Sequence, residues 1–153
     1  MRKLSRSLPA MAIVTGVVWR LLRAGLLGTG PTESPLFFGS VIALGVAVFF
    51  GMATLHLGNY PLKRWIWRVP VFALLEAVAE VATSALLIAL AREPYGSAMA
   101  EWSDLTSIAI TVLSTHVLVL SMYGGILALV VQGIRRSVAA AGDVVIDDPK
   151  DDQ

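Results

Sequence analysis

Arg20, Arg23, Glu76, Glu80 and His116 are ionisable side chains inside long apolar stretches of this sequence. The two glutamates lie in ALLEAVAEVATSALLIAL, residues 73–90, one helical turn apart. A carboxylate and a guanidinium at matched depth can form a buried ion pair. Two carboxylates with an imidazole can pass a proton or hold a cation. An unpaired charge at the centre of a bilayer costs about 2.5–3.5 kcal/mol on an insertion scale, so four isolated ones would cost roughly 10–14 kcal/mol. That is comparable with the stability of a whole domain, so these groups must answer one another.

Helical periodicity says which of them can meet. At 100° per residue, Ala73, Glu76, Glu80, Thr83, Ser84 and Leu87 share one face of their segment, and Val71, Leu74, Val78, Val81, Ala85 and Ile88 cover the rest. The glutamates are expected to face protein rather than lipid. Gly16, Arg20, Arg23 and Leu27 form one face of the first apolar segment. The first and third segments run in the same direction, which brings Arg20 to about the depth of Glu80. Two resolutions stay open. The arginines pair with Glu76 and Glu80 in a buried ionic network, or burial keeps the carboxyls protonated while the arginines snorkel outward.

His116 and Tyr123 lie on one face of the last apolar segment, and Ser107, Thr111, Ser114, Ser121 and Gly125 lie on the opposite face. Either His116 meets the bundle interior or it meets something bound outside. It is the candidate ligand for a haem or chlorin pigment. A bis-histidine haem with His56 is disfavoured, because the two histidines differ in depth by about ten residues, on the order of 15 Å at the helical rise. His56, next to Asn59, reads as a residue of the membrane boundary. Gly39, Ala43, Ala47 and Gly51 recur every four residues, a small-residue stripe suited to close helix packing.

The elements that position these residues follow from composition. Of the 153 residues, 56% are hydrophobic and only 15% charged, against about 25% charged in soluble domains. The expected fold is an all-α membrane protein with four transmembrane helices in a small bundle. The spans are expected at about 8–27, 36–57, 69–91 and 105–133, each long enough for the roughly 20 residues a bilayer core demands. Residues 1–136 form one transmembrane domain, and 137–153 an acidic cytoplasmic tail expected to be disordered alone. GTGPTESP (28–35) reads as a turn, Pro61 and Pro70 punctuate the second connection, and Ser103 or Asp104 caps the fourth helix. The apolar run after the basic start is followed by WRLLRAGLL (19–27) rather than by a small-residue cleavage site, so the first segment reads as a retained span. An interfacial helix is the alternative for residues 8–27.

Lysine and arginine set the orientation. Arg2, Lys3, Arg6, Lys63, Arg64, Arg68, Arg135, Arg136 and Lys150 fall on one side, whereas the 92–104 connection has Arg92 against Glu93, Glu101 and Asp104. Both termini are therefore expected in the cytoplasm, with Trp65 and Trp67 at the inner interface and Tyr95 and Trp102 at the outer one.

Several classes are excluded. Without cysteine there are no disulfides, thiolate metal sites or thiol oxidoreductase chemistry. A net charge of +1 gives no nucleic-acid footprint. No phosphate loop, HExxH or nucleophile elbow is present, and no histidine follows Glu76 and Glu80 in di-iron spacing. No catalytic residue and no metal site are expected. The expected function is a non-catalytic accessory or scaffold subunit of a larger membrane complex, in a bacterial-type inner membrane, with lipid and other membrane subunits as partners. A small proton, ion or solute transporter using the buried Glu, Arg and His residues is the first alternative, and a pigment- or haem-binding subunit is the second.

Overall fold

A computed structural model describes residues 7–31, 34–95 and 98–143, with side chains described as far as residue 139. It contains α1 (Leu8–Thr29), α2 (Pro35–Leu57), α3 (Trp65–Ala89) and α4 (Leu105–Asp143). All four are long and apolar enough to cross a membrane, and they identify the chain as an integral membrane protein. Arg2, Lys3, Arg6 and Lys150, like residues 144–153 of the expected tail, lie outside the described residues.

Local chemistry sets the helix starts. Ser7 Oγ accepts the Ala10 N–H at 3.5 Å, and Ser34 Oγ accepts the Phe37 N–H at 3.4 Å. Each serine is followed by a proline in the first turn, where the missing N–H costs nothing. α3 starts four residues before the expected Val69. A 3₁₀ turn, Leu62–Arg64, leads into Trp65, and Pro70 sits inside the helix. A proline this near the start removes one intrahelical bond without ending the helix. The Trp65 indole fastens this end by donating to the Leu57 and Tyr60 carbonyls at 3.0 and 3.1 Å. α4 also outruns its expected span, reaching Asp143. Its last turns, SVAAAG, are rich in alanine, the strongest helix former. Asp104, in a 3₁₀ turn over Trp102–Asp104, accepts the Glu101 N–H at 2.9 Å and so leads into α4.

The end of α3 matters for the site. The Ala91 N–H bonds the Ile88 carbonyl at 2.9 Å, and the Arg92 N–H bonds the Leu87 carbonyl at 2.8 Å. This is a Schellman reversal, with Ala91 at φ 51° where glycine is usual. The chain turns back at once, and β1 (Pro94–Tyr95) pairs antiparallel with β2 (Ala98–Met99). This short hairpin was not expected from the sequence.

α3 is the central helix, packing along both α1 and α4. Its face of Ala73, Glu76, Glu80, Thr83, Ser84 and Leu87 is buried, while Val71, Leu74 and Val78 are exposed. Two apolar clusters bracket the charged groups. One joins Leu8, Met11, Phe49, Phe72 and Leu120; the other joins Ala77, Ile88, Ala100, Ile108 and Val112. Glycines allow the close approaches between them. A Cβ on Gly16 would collide with the Glu76 carbonyl, and one on Gly124 would come within 2.6 Å of Val69.

Candidate functional site: a buried network of charge

The close approach at Gly16 places Arg20, one turn further along α1, beside α3. Arg20 Nη1 donates to Glu80 Oε1 at 3.0 Å. Its Nε donates to Glu93 Oε2 at 3.3 Å, and its Nη2 donates to Glu93 Oε1. A single guanidinium therefore spans two carboxylates from different elements, a geometry that suits its planar fork of donors. Arg20, Glu80 and Glu93 are all buried. Arg23, a turn beyond, is half-buried and reaches Glu80 Oε1 only at 4.0 Å.

The structure corrects the sequence reading of Glu93. That residue was counted among the charges of the 92–104 connection, and it is only 1% exposed. The Schellman reversal at Ala91 folds it back over the end of the bundle, and its carbonyl accepts the Ala100 N–H at 2.8 Å. Burial pushes the Glu93 carboxyl above its usual range, and the Arg20 guanidinium works against that rise.

On the other side of Glu80 lies His116, carried by the interior face of α4. Its Nδ1 lies 2.9 Å from Glu76 Oε2 and 3.3 Å from Glu80 Oε2. Glu76 and Glu80 are fully buried. The two glutamates thus have different partners, Glu76 on α4 and Glu80 on both α1 and α4. Two oxygens, Glu76 Oε1 and Glu80 Oε2, are buried without a hydrogen-bond partner among the described residues. Phe49 closes over the imidazole with ring centroids 4.7 Å apart.

His116 also lines a cleft of about 290 Å³ between α1, α2 and α4, together with Trp19, Arg23, Val41 and Phe49. Its walls are mostly apolar, and Arg23, Thr115 and His116 are its polar groups. A smaller hollow of about 100 Å³ beside Tyr95, Ser107 and Thr111 reaches Arg20 and Arg23.

The remaining candidate residues are elsewhere. His56, in the last turn of α2, is fully buried in the protein; its Nε2 lies 3.1 Å from Arg68 Nη1, and its ring stacks on Phe72 at 5.8 Å. Burial follows from its place on the inward face of α2, with Phe49 and Ala53. Arg68 in turn covers the Tyr60 ring at 3.4 Å, a cation–π contact. Gly39, Ala43, Ala47 and Gly51 are exposed on the outward face of α2, and a Cβ on Gly39 or Gly51 would meet nothing within 4 Å. Ser107, Thr111, Ser114, Ser121 and Gly125 are likewise exposed on α4. Tyr123, on the histidine side, stacks on Phe50 at 4.0 Å and meets Thr54 Oγ1 at 2.6 Å.

Compared with known proteins, the chain matches no family model, no curated protein and no solved structure.

Proposed function

We propose that the chain is a small, non-catalytic accessory or scaffold subunit of a larger membrane assembly, in a bacterial-type cytoplasmic membrane with both termini inside. The observation that carries this reading is the outward stripe Gly39, Ala43, Ala47, Gly51. Its glycines leave open space at the surface of α2, while α2 uses Val41, Gly45, Phe49 and Ala53 to meet its own chain. Small residues at four-residue spacing permit another helix to approach closely. The exposed hydroxyl stripe on α4 adds a second face, although Ser114 already bonds the Ile110 carbonyl at 2.6 Å. The buried network supports the reading in another way: it ties α1, α3, α4 and the 90–104 connection into one register, which holds the α4 face in place.

The chain has no cysteine, so Gly39→Cys, Gly51→Cys and Ser114→Cys give clean cross-linking probes in native membranes. Adducts with distinct membrane proteins at Gly51→Cys are expected. Adducts of twice the chain's own mass, or none at any of the three positions, would refute the subunit reading.

A second reading, a small proton or ion transporter, is favoured by one observation. His116 joins the buried carboxylates to the cleft between α1, α2 and α4. Proton or ion flux in liposomes containing the chain alone would support it. The pigment reading draws least support. The cleft of about 290 Å³ is at the low end for a small-molecule pocket.

A further inference from the structure

We propose that Glu76, Glu80 and His116 form a binding site for one divalent transition-metal cation of the zinc, manganese or iron(II) class. Three independent features converge on it.

The first is geometry. Glu76 and Glu80 on α3 and His116 on α4 bring one ligand atom each to within 4.8 Å of one another. The nitrogen lies 2.9 and 3.3 Å from the two carboxylate oxygens. Ligand bonds of 2.0–2.2 Å imply neighbouring donors about 3.3–3.6 Å apart in a tetrahedron, or about 2.8–3.1 Å apart in an octahedron. The 2.9 Å separation matches the octahedral range and the 3.3 Å separation the tetrahedral one, and the two carboxylate oxygens, within 4.8 Å of each other, draw together for one ion to hold all three donors.

The second is unspent donor capacity. Among the described residues, Glu76 Oε1 and Glu80 Oε2 have no hydrogen-bond partner, although both residues are completely buried. Glu80 Oε2 already faces the imidazole at 3.3 Å without completing a hydrogen bond. A buried carboxylate oxygen left this way is costly, and a cation held beside His116 Nδ1 would satisfy Glu80 Oε2. Arg20 holds the other oxygen of Glu80, and it orients that carboxylate as an outer-shell group orients a metal ligand.

The third is charge. Three buried carboxylates, Glu76, Glu80 and Glu93, face one fully buried guanidinium, Arg20. Arg23 is 40% exposed at its side chain and stands 4.0 Å away. Buried carboxyl groups therefore outnumber buried guanidinium groups among the described residues, a surplus that a bound cation would offset.

Donor type selects the class. An imidazole nitrogen with two carboxylates suits zinc, manganese or iron(II), whereas magnesium and calcium favour all-oxygen shells. Three protein ligands leave a coordination position free, as in sites that bind an exogenous group rather than purely structural ones. His116 lines the cleft between α1, α2 and α4, so that position has access from there. The site is independent of whether the chain works within a larger assembly.

The test uses the full chain in detergent, stripped with a chelator and titrated with Co²⁺, whose visible bands report its ligands. One Co²⁺ per chain is expected. His116→Gln should abolish the bands. Glu76→Gln should weaken binding by more than about 100-fold, beyond the range typical of losing an outer-shell partner. His56→Gln should bind as the wild type does. Absence of saturable binding, or binding that survives both His116→Gln and Glu76→Gln, would overturn the site. So would loss of binding in His56→Gln. Because the variants can fail to fold, X-ray absorption of zinc-loaded wild type gives a separate decision. A shell with one imidazole among oxygens is expected, and an all-oxygen shell overturns the proposal.

Discussion

Arg20→Gln is the perturbation that tests the network most directly. The substitution removes the Nη1 bond to Glu80 at 3.0 Å, the Nε bond to Glu93 at 3.3 Å and the Nη2 bond to Glu93. Glu80 cannot escape, because it is fully buried within α3; it is left with Arg23 at 4.0 Å and His116 at 3.3 Å. Glu93 follows the end of α3 and can turn toward water. The penalty is therefore set by one orphaned carboxylate. Breaking a buried pair costs about 3–5 kcal/mol in soluble proteins, and water defects and snorkelling soften this in a bilayer. A loss of about 2–4 kcal/mol is expected. Glu80→Gln keeps an oxygen to accept from Arg20, which retains Glu93 as its counter-ion, so it should cost about 1–2 kcal/mol. The double variant should fall within about 1 kcal/mol of Arg20→Gln alone, since the orphaned charge is gone. Reversible unfolding in mixed micelles, followed by far-ultraviolet circular dichroism, measures all three. Strict additivity, or an Arg20→Gln variant as stable as wild type, would refute the pairing argument.

Three further outcomes follow from the same geometry. Glu93→Gln keeps an acceptor for Arg20 and should cost less than about 1 kcal/mol at neutral pH. Burial raises the Glu93 carboxyl in the folded chain, so its contribution is full below the usual carboxylate value of about 4.3 and is lost as pH rises through the folded value. Glu93→Gln should therefore gain on wild type across that window, and a change in the opposite direction would mean that the Arg20 charge outweighs burial. Gly16→Ala places a Cβ against the Glu76 carbonyl and should destabilise by about 1–3 kcal/mol in the same unfolding assay. Ala91→Gly relieves a φ of 51° and should raise stability by up to about 1 kcal/mol; a loss would show that the reversal after α3 is unstrained.

Periodicity made much of this architecture legible. The four spans follow from runs of apolar residues, and the shared face of Glu76 and Glu80 follows from their spacing alone. What the sequence hid is what the chain brings together over distance. His116 is 40 residues from Glu76 and Glu93 is 73 from Arg20, and no local spacing reports such contacts. Glu93 sits in a stretch that reads as an ordinary polar loop. Its burial depends on the reversal at Ala91, which carries none of the glycine that usually signals such a cap. The start of α3 was misplaced for a related reason. Pro70 reads as punctuation, but its position near a helix start makes it tolerable. α4 continues past its expected span because the alanines beyond Arg136 continue the helix.

The two oxygens of Glu80 divide the network into halves with different roles. Oε1 belongs to Arg20, and through it to Glu93 and the connection after α3. Oε2 faces His116, and through it Glu76 and the cleft between α1, α2 and α4. The first half is saturated with donors, as a contact that fixes helix register should be. The second half has fewer donors than acceptors, since one imidazole nitrogen lies between two carboxylates. A purely structural lock has no use for that deficit, because each unsatisfied buried oxygen subtracts from stability. A proton or a metal cation entering the second half would supply the missing partner while Arg20 holds the first in place. The scaffold and the cation site are then compatible in one helix: α3 is clamped from α1 and left chemically open toward α4.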